Sequence, residues 1–170
     1  MLIKINGETK ANAFATISDY LASEGLSYAL ADDTRPWGGF FVIEEKHTDK
    51  FFSLFFPAMD ASALKQENKL SPKILVVEKH KRLSWQYHYR RSEIWTCIGG
   101  PVGVARSFTD EEGSTHVLHC GDTIELQQGE RHRLIGMDDW GVVAEIWKHT
   151  DMLQPSNEND IVRLQDDFGR

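Results

Sequence analysis

Four side chains with nitrogen or oxygen donors lie at spacings that could bring them around one metal ion. Gln86 and His88 are two residues apart, Glu93 follows His88 after a four-residue gap, and His132 lies in a later segment. Two imidazoles, a carboxylate and an amide oxygen suit a divalent ion at bond lengths of about 2.0–2.2 Å. If these groups were buried without partners, desolvation would cost several kcal/mol, and a bound cation removes much of that cost. We therefore predict a metal site at these four residues.

Strand geometry explains how these side chains could meet. Side chains alternate between the two faces of a strand, so Ser84, Gln86 and His88 share one face. The polar residues 89–92 are few enough to form a tight turn, so Glu93 would begin the returning strand close to His88. His132, the fourth donor, begins another segment of alternating apolar and polar residues, after the turn-prone residues 127–130. Neighbouring strands therefore position the predicted site.

Most of the chain beyond residue 40 has the pattern of short strands. These segments are rich in β-branched or aromatic residues and are separated by turn residues. The predicted strands are residues 40–45, 51–56, 73–78, 82–88, 93–98, 102–107, 115–119, 123–126, 131–135 and 141–148. About ten strands at this spacing predict a sandwich or a closed barrel.

The first third of the chain has a different pattern. Apolar residues at helical spacing predict a short amphipathic helix over residues 12–25, with a further helical segment at residues 27–31. Residues 61–71 are polar and predict a loop or a short helix. The chain is short enough for one domain, with 41% hydrophobic residues. We predict an N-terminal helical extension packed on a barrel (1–34), the barrel (35–150) and a C-terminal tail packed on it (151–170).

Charge and terminal composition narrow the function classes. A net charge of -7 argues against nonspecific binding to nucleic acid or to an anionic membrane. The chain has no apolar run of signal-peptide length at its start and no apolar stretch of membrane-spanning length. We therefore expect a cytoplasmic protein in which Cys97 and Cys120 are reduced thiols.

The spacing of the four donors resembles two sequence motifs of the cupins. The first motif matches at His88, Glu93 and Gly100, with Gln86 at the correct spacing before them, and the second matches at Gly121, Gly129 and His132. Glutamine stands where most cupins have the first histidine of the motif. The resemblance implies an all-β fold, the cupin jelly-roll barrel, here with a short N-terminal helical segment.

That glutamine also points to a subfamily. Residues 83–95 resemble the strand motif of type II mannose-6-phosphate isomerases, residues 35–40 resemble an Arg-Pro-Trp-Gly segment of that family, and residues 160–170 resemble its C-terminal segment. Together the matches run in the right order over residues 33–170. The resemblance is to the C-terminal isomerase domain of these enzymes, in a stand-alone short form.

The resemblance implies reversible aldose–ketose isomerisation of a sugar phosphate, with mannose 6-phosphate and fructose 6-phosphate as substrates. It also implies one divalent metal ion, with zinc favoured and manganese, iron, cobalt or nickel also suited. Candidates for substrate binding are Lys73, Ser84, Arg90, Arg91, Arg133 and Arg163. Asp160 is a candidate proton carrier from its motif position. Cupins often pair, so a homodimer is expected by resemblance.

Other interpretations compete with each assignment. The four donors could form a polar interior held by internal hydrogen bonds, and the arginines could form structural ion pairs. The segment at residues 35–38 could be a turn whose indole closes one end of the barrel.

Three function classes stay open. A heptose phosphate is an alternative isomerase substrate. Cupins also host oxygenases and decarboxylases, although Gln86 argues against an iron oxygenase. A non-catalytic sugar-binding cupin is the third class, since Arg90 and Ile94 replace two histidines of the subfamily motif.

Overall fold

The computed structural model describes residues 3–5, 9–60, 64 and 70–170. Within these residues the helices are α1 (Lys10–Ser23) and α2 (Thr48–Phe55), with short 3-10 helices at Glu45–His47 and Glu158–Asp160. The strands are β1 (Tyr28–Asp32), β2 (Gly38–Ile43), β3 (Lys73–Val77), β4 (Trp85–His88), β5 (Arg91–Gly99), β6 (Val102–Ser107), β7 (Thr115–Leu118), β8 (Thr123–Leu126), β9 (Arg131–Gly136), β10 (Gly141–His149) and β11 (Ile161–Gln165). In this part of the chain, neither helix has the length and apolar character needed to cross a bilayer.

The strands form two antiparallel sheets. The larger sheet has the order β1-β2-β3-β10-β5-β8, and the smaller has the order β11-β4-β9-β6-β7. Strands that are neighbours in space are mostly distant in sequence, as expected for a jelly roll. The predicted all-β class is confirmed.

The central strands of the larger sheet are buried on both faces. Even-numbered residues of its central strands pack against the two helices, as Ile94 and Ala144 do. Odd-numbered residues face the smaller sheet, as Cys97 and Val143 do. Because side chains alternate along a strand, this register decides which polar residues of β3, β5 and β10 point into the space between the sheets.

Helix α1 agrees with the predicted N-terminal helix. Its first turn is capped by the Thr9 side chain, which accepts a hydrogen bond from the backbone N–H of Asn12. Beyond its last turn, Gly25 has a φ of +65°, and the next residue, Leu26, donates its backbone N–H to the carbonyl of Leu21. This is a Schellman ending, in which glycine takes the left-handed conformation at low cost. The helix buries its apolar face against the larger sheet.

The structure corrects the sequence interpretation in three segments. Residues 51–56, predicted as a strand, lie mainly in α2, because Phe51, Phe52, Phe55 and Phe56 repeat at helical rather than alternating spacing and are all buried. Residues 27–31, predicted as helical, overlap β1, which pairs with β2. The C-terminal tail contributes β11, which was not predicted and pairs with β4. The predicted loop or short helix at residues 61–71 lies largely outside the described residues.

Candidate metal centre

Three strands bring the predicted metal ligands together. Gln86 and His88 lie on β4, Glu93 lies on β5, and His132 lies opposite Gln86 in the pairing of β4 with β9. The side chains of His88, Glu93 and His132 are buried, and their ligand atoms all lie within 4.8 Å of one another. These three residues could hold a metal ion.

The distances within this cluster suit a single ion. His88 Nε2 lies 3.1 Å from Glu93 Oε1, and His132 Nε2 lies 3.3 Å from Glu93 Oε2. Two ligand atoms that are each about 2.1 Å from one ion lie roughly 3.0–3.4 Å apart at the usual coordination angles. The donor atoms are therefore spaced as ligands to one ion would be.

Hydrogen bonding indicates which imidazole nitrogen of His132 carries the proton. His132 Nδ1 lies 2.9 Å from the carbonyl oxygen of Glu130, which can only accept. The proton of a neutral His132 is therefore on Nδ1, and its Nε2 lone pair faces Glu93. Nε2 is buried and has no hydrogen-bond partner among the described residues. An orphaned acceptor beside a carboxylate is the arrangement that a cation would satisfy.

The charges at the centre also suit a cation. Burial raises the pKa of the Glu93 carboxyl, but the neighbouring His88 and Arg91 side chains lower it more, so that the pKa lies well below its usual range. Burial lowers the pKa of His88, which favours the neutral imidazole. An ionised carboxylate and neutral imidazoles are the ligand forms that a divalent ion needs. The residues present therefore fit the metal site that the sequence predicts.

The fourth predicted ligand is held by a neighbour. Ser84 Oγ donates a 2.6 Å hydrogen bond to Gln86 Oε1, and both side chains are buried. This bond holds the amide oxygen on the face shared with His88. Ser84, predicted to bind substrate, therefore contacts the predicted metal ligand Gln86 directly.

A cavity lies beside the centre, and both Gln86 and Glu93 line it. Its walls also carry an excess of positive charge. The cationic lining residues are Arg35, Lys73, Arg91, Arg163 and Arg170, against the acidic residues Glu93, Glu145 and Glu158. Such a cavity suits a small anionic molecule that also reaches the metal centre.

Among the residues predicted to bind substrate, Lys73, Ser84, Arg91 and Arg163 line this cavity. Lys73 Nζ forms an ion pair with Glu158 and lies 3.8 Å from the ring centroid of Trp147. Arg91 donates to Glu93, to Ser156 and to His88 Nε2.

Arg163 differs from the other cationic residues of the cavity. Its side chain forms neither a hydrogen bond nor an ion pair within the described part of the chain. Burial and the nearby charge of Arg170 lower the pKa of Arg163. The guanidinium therefore lies in a locally positive environment that an anion would relieve.

Two other predicted substrate residues do not line the cavity. Arg133 is fully buried, and it donates to Glu112 at 2.7 Å and to the carbonyl of Leu83. Arg90 donates from Nε to Asp160 Oδ1 at 3.4 Å. These contacts are the structural ion pairs that competed with phosphate binding in the sequence interpretation.

Asp160, the predicted proton carrier, lies outside the cavity lining. Its carboxylate accepts hydrogen bonds from Ser156 Oγ at 2.6 Å and from the backbone N–H groups of Tyr89 and Arg90. Burial raises its pKa, but these hydrogen bonds outweigh burial, and the pKa is lowered. A carboxylate with this many donors is a poor base, because the hydrogen bonds stabilise its ionised form.

Sequence reasoning missed several cavity residues. Trp95, Glu145 and Trp147 face the space between the sheets, and Arg35 and Arg170 line the same cavity. One signal could have identified Glu145, since it is a single acidic residue within the otherwise apolar Gly-Val-Val-Ala-Glu-Ile-Trp run of β10. The two arginines lie in segments that resemble the family, but no pattern in the sequence indicates a role for them.

Comparison with known proteins agrees with this architecture. A family model described as "Mannose-6-phosphate isomerase C-terminal" matches residues 44–166. The capsular polysaccharide assembling protein CapF from Staphylococcus aureus is similar in structure, with a TM-score of 0.56 and 14% identity over 92% of this chain and 37% of that chain. Vicilin from Corylus avellana (hazelnut) gives a TM-score of 0.53 and 14% identity over 79% of this chain and 35% of that chain.

The chain thus spans little more than a third of these proteins, and at such identities the likeness shows the fold alone. The cupin fold predicted from the sequence is confirmed. None of the curated proteins matches the chain significantly in sequence.

Proposed function

The chain belongs to the mannose-6-phosphate isomerase C-terminal family, and on that premise we propose that it is a metal-dependent aldose–ketose isomerase of a sugar phosphate. Mannose 6-phosphate and fructose 6-phosphate are the first substrates we propose, with a heptose phosphate as the related alternative. The observation that carries the proposal is the buried cluster of His88, Glu93 and His132 beside a cavity lined by cationic side chains.

The proposed metal ligands are His88, Glu93 and His132, with Gln86 as the fourth. Aldose–ketose isomerisation needs positive charge where oxygen becomes negative and a group that carries a proton between two carbons. A divalent ion, when bound, supplies that charge, because one carboxylate leaves it with a net charge of about +1. Zinc is the first candidate, and manganese, iron, cobalt and nickel suit the same donor set.

The proposed phosphate-binding group is the arginine cluster at the cavity wall. Arg163 has its donors free among the described residues, whereas Arg35 pairs with Asp32 and Arg170 pairs with Asp166. A guanidinium can hold a phosphate through two parallel hydrogen bonds. Arg163 would therefore make the first contact, and Lys73 would add charge at the same wall.

The two departures from the subfamily motif lie away from this cavity. Ile94 is fully buried in the core beside the helices, and Arg90 is bound to Asp160. Neither residue lines the cavity, so neither replacement removes a group from the proposed site. This supports catalysis over a sugar-binding role without chemistry.

Deuterium exchange tests the proposal. Metal-loaded protein is incubated in heavy water with a panel of hexose and heptose phosphates, and the product is examined for deuterium at C2 of the aldose. We expect exchange with at least one sugar, and loss of exchange after chelation and in His132→Ala. Binding of these sugars without exchange by any of them would instead support the non-catalytic class. Oxygen uptake by iron-loaded protein would favour an oxygenase.

A further inference from the structure

Glu145 is a buried carboxyl group in the wall of the cavity. It lies on β10 opposite Trp95 of β5, and only 4% of it is exposed. Its odd-numbered position directs the side chain into the space between the sheets, where it lines the cavity together with Glu93. The remaining odd-numbered neighbours on β10, Val143 and Trp147, share this face.

The hydrogen bonds of Glu145 leave it able to exchange a proton. Trp95 Nε1 donates to Glu145 Oε1 at 2.9 Å and to Glu93 Oε2 at 3.2 Å, so one indole N–H lies between the two carboxylates. The nearest cations are engaged elsewhere, since Lys73 pairs with Glu158 and Arg91 pairs with Glu93. Within the described residues, Glu145 forms no ion pair, and its second oxygen accepts no hydrogen bond.

The surroundings of Glu145 favour a protonated carboxyl near neutral pH. Burial, and then the charge of Glu93, raise the pKa of Glu145 to about 8, against the opposing effects of Lys73, Arg91 and the Trp95 hydrogen bond. A divalent ion held by Glu93 would lower this pKa, which would make the carboxylate available near neutral pH. A buried carboxyl group with only one hydrogen bond destabilises the fold, so stability does not explain why Glu145 is there. Groups of this kind concentrate at functional sites.

Resting on the proposed isomerase function, we propose that Glu145 is the catalytic residue that carries the proton between C2 of the aldose and C1 of the ketose. Its carboxylate takes the proton from C2, and the electrons of that C–H bond form the C1=C2 double bond. The carbonyl electrons move to O1, which takes up a proton from water. Glu145 then returns its proton to C1 as O2 releases its proton to the hydroxide left by that step and becomes the carbonyl oxygen. No external oxidant or reductant is needed.

The test compares metal-loaded Glu145→Gln and Glu145→Met with wild type. Both replacements are similar in size to glutamate and lack the buried charge, so each is expected to fold. We expect kcat for isomerisation, and deuterium exchange at C2, to fall at least about 10²-fold, the lower range of general base catalysis. Metal content should stay within about threefold of the wild-type value, and so should the affinity for the sugar phosphate measured by calorimetry. Glu125→Gln is the matched control, because Glu125 pairs with Lys148 away from the cavity.

Exchange within tenfold of wild type in either folded variant would overturn the role of Glu145. Weakened sugar or metal binding at unchanged kcat would also overturn it, since the residue would then act in binding. If Glu145→Gln does not fold, Glu145→Met decides. A wild-type protein that exchanges no sugar of the panel would refute the isomerase itself, which is a separate result.

Discussion

The guanidinium group of Arg91 lies directly against the carboxylate of Glu93, with Nε 2.7 Å from Oε1 and both side chains 2% exposed. The same guanidinium reaches His88 Nε2 at 3.1 Å. Arg91 therefore supplies positive charge to two of the proposed metal ligands. A bound ion would share the charge of Glu93 with this arginine.

Replacing Arg91 should destabilise the metal-free protein more than the metal-loaded protein. In Arg91→Met without metal, Glu93 loses its arginine partner while still buried, and breaking a buried pair costs about 3–5 kcal/mol. With metal bound, the ion keeps the carboxylate paired, so we expect a smaller loss. Urea unfolding with and without a chelator measures both free energies of unfolding.

The exposed pair of Arg82 with Asp167 provides a control for that experiment. These side chains are 41% and 42% exposed, so Arg82→Met should cost no more than about 1 kcal/mol in either metal state. An equal loss of stability in Arg91→Met with and without metal would contradict charge sharing between the arginine and an ion at Glu93.

Ser84→Ala should weaken metal binding, although Ser84 is not itself a proposed ligand. Its hydroxyl orients the Gln86 oxygen, and removal of such an orienting partner usually costs about 10–100-fold in metal affinity. Competition with a chromogenic chelator measures the affinity, and Ser92→Ala on β5 is the control. Unchanged affinity in Ser84→Ala, together with unchanged affinity in Gln86→Leu, would remove Gln86 from the ligand set.

The fold was predictable from the sequence wherever the spacing of apolar residues matched only a strand or only a helix. Alternation identified the central strands, and helical spacing identified α1. The segment of four phenylalanines was misread because phenylalanine favours strands intrinsically, whereas the i, i+1, i+4, i+5 spacing of these residues buries them on one side of a helix. Strand β11 is exposed over much of its length, so it has little of the apolar pattern that sequence reasoning uses.

At the candidate metal centre, the sequence predicted the residues that share one short motif. It was less informative about residues that come together only through the pairing of distant strands. His88 and Glu93 are close in sequence, and the register of β4 with β9 adds His132. Glu145 reaches the same cavity only because β10 pairs with β5 in one particular register. The substrate arginines were harder still, since nothing in the sequence shows that Arg133 is buried against the partner Glu112 whereas Arg163 is exposed.

Arg163→Ala should weaken binding of the sugar phosphate with little effect on kcat. Hydrogen bonds to a charged group contribute about 1.5–3 kcal/mol, so KM should rise about 10–100-fold. Arg163→Lys should recover part of the loss, because lysine keeps the charge and loses the paired geometry. Initial rates over a range of sugar phosphate concentrations measure both constants. A rise in KM of the same size in the control Arg82→Ala would show that long-range charge, and not contact, causes the effect.

Asp160→Asn should reduce stability while leaving isomerisation largely intact. The pKa of Asp160 is lowered in the folded protein, because hydrogen bonds from Ser156 and Arg90 outweigh the effect of burial. Its ionised form therefore stabilises the fold at pH values above the unfolded pKa of about 3.9, and that contribution is lost as pH falls through the lowered pKa. At pH 7 we expect a loss of about 1–3 kcal/mol in the free energy of unfolding.

The pH dependence separates this structural role from catalysis. The difference in unfolding free energy between wild type and Asp160→Asn should shrink as pH falls below about 4, because the Asp160 carboxyl is protonated first in the unfolded chain and then, at its lowered pKa, in the folded protein. Unfolding by urea at a series of pH values measures this, and deuterium exchange at pH 7 should stay within about tenfold of wild type. A folded Asp160→Asn protein that binds the sugar phosphate but no longer exchanges deuterium would instead make Asp160 the proton carrier, as its motif position implies.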